Sequence, residues 1–98
     1  MRFTWDRAKA RSNHRKHGVS FEEAKEVFDD PNHVILENYL LAEEGEQRQQ
    51  AIGLSRGVVL LAVVFVDRSQ ADDVVIRLIS ARKANDYETY LYQTGAAI

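Results

Sequence analysis

The chain has 98 residues, 45% of them hydrophobic, and a net charge of -2, which sets it as one globular domain, 1–98, with room for a single modest core. The absence of cysteine excludes disulfides, thiolate metal sites and cysteine nucleophiles. The longest apolar run, Val58 to Val66, has nine residues, far short of a membrane span, and no signal-peptide layout precedes it, so a cytoplasmic protein without membrane contact is expected.

The charge is unevenly spread. Residues 1–18 carry six Lys or Arg (Arg2, Arg7, Lys9, Arg11, Arg15, Lys16) against one acid, Asp6, for a net +5, whereas residues 19–98 carry seven bases against fourteen acids, for -7. Such a basic stripe is either an electrostatic footprint for nucleic acid or an acidic partner, or a solvated helix face.

In chain order, Arg2 to Trp5 alternates Phe3 and Trp5 on one side and reads as a short edge strand. Asp6 to His17 has no β-branched residue, Gly or Pro and reads as a helix. Its only apolar residues are Ala8 and Ala10, so Phe3 and Trp5 are expected to anchor its start. The run KHGVSFEEAKEVFDDP, Lys16 to Pro31, joins this basic helix to an acidic amphipathic one. Gly18 can take the left-handed conformation that ends a helix, and Ser20 with Glu23 forms a capping box that starts the next. The second helix, Phe21 to Asp29, places Phe21, Ala24, Val27 and Phe28 on one face, and Pro31 ends it.

Four strands follow: His33 to Leu40, Gln47 to Leu54, Val58 to Val66 and Val74 to Ala81. The third is continuously apolar, as a strand buried on both faces would be. Ser55, Arg56 and Gly57 make a tight hairpin turn, and Asp67 to Asp73 a longer polar one, so consecutive strands are expected to be antiparallel. Asn85 and Glu88 repeat the capping-box pattern and open a final helix, Asp86 to Gln93, with Tyr87, Tyr90 and Leu91 on its packing face. The expected architecture is α+β, with a small four-stranded antiparallel sheet, a possible short N-terminal strand, two N-terminal helices and one C-terminal helix.

Four ordered segments, FTWDRAKARSNHRKHGVSFEEAKEVFDDP, GEQRQQAIGLSRG, LLAVVFV and IRLISARKA, resemble the BrnT family of type II toxins over Phe3 to Ala84. The resemblance implies a RelE-like fold, cleavage of RNA that stops translation, and neutralisation by a BrnA-type antitoxin through which alone operator DNA is bound. It implies no cofactor. A homodimer or a complex with more than one copy of each chain is a further expectation.

Metal-independent RNA cleavage sends the ribose 2′-hydroxyl onto the neighbouring phosphate, and needs a base, a proton donor and cations for the developing charge. The resemblance points to Arg48, Arg77 and Arg82, with Lys83, as the cations of the site. Among the residues, Glu46 and His17 are the candidate proton-transfer groups, and Arg15, Lys16, Arg56 and Lys83 the candidate RNA contacts. Arg77 alternates with Val75, Ile79 and Ala81, so a cation there either snorkels to an edge or has a functional partner. Glu46 shares an acidic loop with Glu43 and Glu44, and His17 at a helix C-terminus also suits the helix dipole. No HxxxH or paired-carboxylate spacing occurs, and no metal site is expected.

The stretch after Lys83, NDYETYLYQTGAAI, has two acids and no Lys or Arg, where the family is strongly basic. Tyr87, Tyr90 and Tyr92 offer base stacking in place of cations, although Tyr87 and Tyr90 at helical spacing also suit a core. Three functions stay open: a ribonuclease toxin, an inactive relative that only binds an antitoxin, and a helix-turn-helix DNA-binding protein. The last is disfavoured by five acids against one Lys in FEEAKEVFDD.

Overall fold

A computed structural model of the chain describes residues 1–37 and 47–95. Its elements are β1 (Arg2–Thr4), α1 (Arg7–His17), α2 (Phe21–Lys25) running into a 3-10 turn (Glu26–Asp29), β2 (Val34–Glu37), β3 (Arg48–Ser55), β4 (Val59–Asp67), β5 (Val75–Lys83) and α3 (Asp86–Thr94). Residues 38–40 of the first expected long strand, and Glu46, lie outside the described residues.

The local punctuation acts as its chemistry requires. Asp6 caps α1 by accepting from the Lys9 N–H at 2.9 Å, and Gly18, at φ 70°, ends it. Ser20 with Glu23 and Asn85 with Glu88 each form complete capping boxes. The second helix tightens into the 3-10 turn after Lys25, which seats Val27 against β3 where Gly53 lies. A Cβ on Gly53 would stand 2.9 Å from the Val27 Cγ1 and from the His33 Cβ.

The sheet order is β1-β5-β4-β3-β2. Strands β2 to β5 form an antiparallel meander, but β1 runs parallel to β5, with Arg2 opposite Val75 and Thr4 opposite Arg77. The expected four-stranded antiparallel sheet is therefore a five-stranded mixed sheet. No hairpin fixes the direction of β1. Its register is instead held by the Arg2 N–H on the Val74 carbonyl at 2.8 Å and by the Arg2 guanidinium on Asp73 at 2.7 Å.

One face of the sheet carries α1, α2 and the 3-10 turn. There Phe21, Ala24 and Val27 pack on Ala51, Leu61, Val63, Phe65, Ile76, Leu78 and Ala81, with Phe3, Trp5 and Phe28 at the margin. Trp5 meets Phe21 edge-on at 5.9 Å, and Phe28 meets Phe65 edge-on at 5.1 Å. The other face holds a smaller cluster, Val34, Ile52 and Leu91, with Leu36, Leu60, Ala84 and Tyr92. β4 is thus covered on both sides, as its continuous apolar sequence requires.

One expectation changes in the packing. Tyr87 and Tyr90 do not face the core; they are 60% and 59% exposed, and α3 buries Glu88 and Leu91 instead. The Glu88 carboxylate meets Gln50 and Arg82 on the sheet. α1, poor in apolar residues, is fastened by Asn13. Its amide donates to the Val19 carbonyl at 3.0 Å and the Ala81 carbonyl at 2.9 Å, and accepts from the Ala81 N–H at 3.0 Å. Because β1 pairs with β5 only as far as Arg77, Asn13 fills the hydrogen-bonding role of the missing edge strand at Ala81.

Candidate functional site

Residues directly opposite one another across a sheet share a face. The register aligns Arg48, Val66 and Arg77 in one row, Gln50, Val64 and Ser80 in the next, and Ile52, Ala62 and Arg82 in a third. All three rows lie on the α3 side. Arg48 and Arg77 are two strands apart, about 10 Å, and Arg82 stands at the far end of β5.

This grouping depends on one irregularity. Between Val64 and Phe65 the pairing with β5 slips by a residue, Ser80 opposing Val64 but Leu78 opposing Phe65. The extra residue, Ile79, lets both Ala81 and Leu78 reach the main core and turns Arg77 to the opposite face. Arg77 therefore does not share a side with Ile79 and Ala81, as simple alternation predicts; it shares one with Ser80 and Arg82. Half-buried, it makes no hydrogen bond or ion pair among the described residues.

Arg82 is held differently. It donates to both oxygens of Glu88, at 2.7 and 2.8 Å, and to the Lys83 carbonyl at 3.2 Å. Glu88 also accepts from the Gln50 amide at 2.9 Å and the Asn85 N–H at 2.9 Å. Burial pushes the Glu88 carboxyl up, but the hydrogen bonds from Arg82 and Asn85, the Arg82 charge and the Gln50 bond outweigh it and hold it below its ordinary value. The Glu88 hydrogen bond raises Arg82 further. A groove of about 410 Å³ opens beside this network, lined by Leu36, Gln50, Val64, Ser80, Arg82, Tyr87 and Glu88, a size that admits a small ligand or one nucleotide unit.

A second groove follows the outer edge of β5, between Ile79 and Ser80 on the strand and Lys9, Ser12, Asn13, Lys16 and His17 on α1. Ser80 lines both grooves. Lys9 and Lys16 of α1 and Arg82 of the sheet thus border two grooves that meet at Ser80 on the edge of β5. Phosphates bound along them would meet positive charge from both sides.

The structure does not gather every expected residue. Arg48, Arg77 and Arg82 come together on the sheet face, and Lys16 and His17 reach its edge. Lys83 pairs opposite Leu61 and so lies on the α1 and α2 side. Arg56 occupies the tight β3–β4 turn at φ 54° and is ion-paired to Glu26 at 3.0 Å, apart from the others. Arg15 is exposed on α1 and lines neither groove. Glu46 lies outside the described residues. Among those residues no group of three or more His, Cys, Asp or Glu could hold a metal ion, and no helix is long and apolar enough to cross a membrane.

Sequence reasoning missed Gln50, Ser80 and the second role of Glu88. The capping box gave Glu88 a complete local explanation, which hid its partnership with Arg82. Gln50 and Ser80 lie within the family-like segments but have no charge or spacing that marks them, and only the register identifies them.

A family model described as "Ribonuclease toxin, BrnT, of type II toxin-antitoxin system" matches residues 5–88. Among solved structures, the chain is similar to the ribonuclease toxin BrnT of Brucella abortus, with 24% identity over 88% of this chain and 99% of that one, at a TM-score of 0.60. At that identity the likeness speaks for the α+β fold. No curated protein matches the chain.

Proposed function

We propose, on the premise that the chain belongs to the BrnT family of ribonuclease toxins of type II toxin-antitoxin systems, that it cuts RNA without a metal ion, that the cleavage arrests translation in the cytoplasm, and that a BrnA-type antitoxin neutralises it. A structural kinship with RelE-like ribonucleases belongs to the same proposal. The grouping of Arg48, Arg77 and Arg82 on one face, next to a groove edged by an exposed tyrosine, supports this reading best.

In the proposed step the ribose 2′-hydroxyl loses its proton and its oxygen bonds to phosphorus, while the bond from phosphorus to the 5′-oxygen breaks and that oxygen takes a proton. The phosphorane carries extra negative charge at the moment of transfer. Arg77, which has no hydrogen bond or ion pair among the described residues although the Asp6 carboxylate feels its charge, and Arg48 supply positive charge where it develops. Arg82, locked by Glu88, offers a fixed donor edge more than a mobile charge. His17, at the β5 edge, is the proton-transfer candidate in this reading. Tyr87 offers its ring to a base, a contact worth about 1–3 kcal/mol.

One observation favours a second reading, a catalytically inactive member that only binds its antitoxin: the charge of Arg82 is balanced by a buried carboxylate, and α3 contributes no cation of its own. Inducible expression of the native chain beside Arg77→Ala/Arg82→Ala, at matched soluble levels, separates the two. Growth arrest and fragmented RNA with the native chain alone supports the ribonuclease. Cleavage by the purified chain that persists in excess chelator supports metal independence. Equal growth with both chains soluble favours the binding module.

A further inference from the structure

The two flanks of α1 meet different surroundings. One flank, with Lys9, Lys16 and His17, borders the β5 edge. The other borders a cleft of about 230 Å³ against α2, lined by Trp5, Ala10, Arg11, His14, Phe21 and Glu22 among others. Its floor is apolar, since Trp5 and Phe21 pack edge-on there.

Arg7, Arg11 and Arg15 repeat at four-residue spacing, so they climb α1 as a ladder about 12 Å long, each about 40° around the helix from the last. All three are exposed, and none is ion-paired among the described residues. On a helix of 3.6 residues per turn they lie away from Asn13, which faces β5, and Arg11 reaches the rim of the α2 cleft.

We infer that this ladder and cleft form a docking surface for an acidic protein segment, with carboxylates on Arg7, Arg11 and Arg15 and one large apolar side chain seated in the cleft against Trp5. Charge complementarity selects the occupant: Arg7, Arg11 and Arg15 put three guanidinium groups on this flank, and guanidinium groups at helical spacing match carboxylates presented at the same spacing. The apolar floor asks for a side chain that a phosphate backbone lacks. An apolar floor beside Arg11 suits the large side chain of a peptide. The surface is separate from the arginine face of the sheet and stands whether or not that face cleaves RNA.

The test uses the full chain and a synthetic helical peptide of about 15 residues, with glutamates at every fourth position and one central leucine. A single-stranded RNA of about ten nucleotides serves as the competing probe. The native chain binds the peptide, and changing its leucine to serine or its glutamates to glutamine weakens binding. Arg7→Gln/Arg11→Gln, both at exposed positions, weakens peptide binding about tenfold while leaving the melting temperature and any RNA cleavage unchanged. Absence of peptide binding by the native chain overturns the inference. So does a variant that loses RNA binding and keeps peptide binding, since the flank would then be a phosphate surface.

Discussion

Glu88 is a carboxylate that receives Arg82, Gln50 and the Asn85 N–H at once, and it is 5% exposed. Because its folded pKa lies below its ordinary value, its stabilising contribution is complete above about pH 4.3, the usual range for Glu. That contribution is lost as pH falls through the lowered value. Glu88→Gln is expected to cost about 1–3 kcal/mol at neutral pH and to flatten the acid limb of stability, read as the urea midpoint between roughly pH 6 and pH 2. Asp30 is also depressed: burial raises it, but the Leu54 N–H, the Tyr92 hydroxyl and the Asn32 N–H lower it more. Some acid sensitivity therefore survives in the variant. A native-like slope in Glu88→Gln would refute the assignment.

At the scale of elements, α1 is bound to the sheet by hydrogen bonds more than by apolar area, because Asn13 is its one buried residue. Asn13→Ala leaves the Ala81 N–H and carbonyl and the Val19 carbonyl without this partner. The loss is expected to be about 2–4 kcal/mol in urea titration, with amide exchange fastest in α1 and at Ala81. Asn13→Asp keeps the acceptor but no donor, and should do no better. Gly53 fixes the seat of the 3-10 turn. Gly53→Ala is expected to cost about 1–3 kcal/mol through overpacking against Val27 and His33. Gly18→Ala meets nothing within 4 Å and should lose about 1 kcal/mol, from its positive φ alone. Equal thermal shifts in the two glycine variants would show that the tight contact at Gly53 relaxes freely.

Over the whole molecule, charge and sheet edges set the expected assembly. A basic α1 stands on an otherwise acidic chain, and β2 is the terminal strand of the sheet opposite β1. A terminal strand and a cationic helix with no ion pair among the described residues both suit a partner protein. A type II toxin has a protein antitoxin, and we propose a complex with more than one copy of each chain. Light scattering after size exclusion should give a mass above that of a one-to-one pair; a one-to-one mass would refute it.

Much of this fold was legible in the residues because the signals are local. Helix ends at Asp6, Gly18, Ser20 and Asn85 depend on contacts three or four residues away, and the Arg56-Gly57 turn, with both residues at positive φ, forces a hairpin. The continuous apolar run of β4 demanded cover on both faces. The direction of β1, the outward turn of Tyr87 and Tyr90 and the face taken by Arg77 were not legible, since each rests on partners far along the chain. A one-residue slip in register moves every following side chain to the other face of a sheet. The sequence by itself determined the elements, the basic first helix and the family motifs. Only the tertiary structure, through the bulge at Ile79, decided that Arg48, Arg77 and Arg82 share a surface.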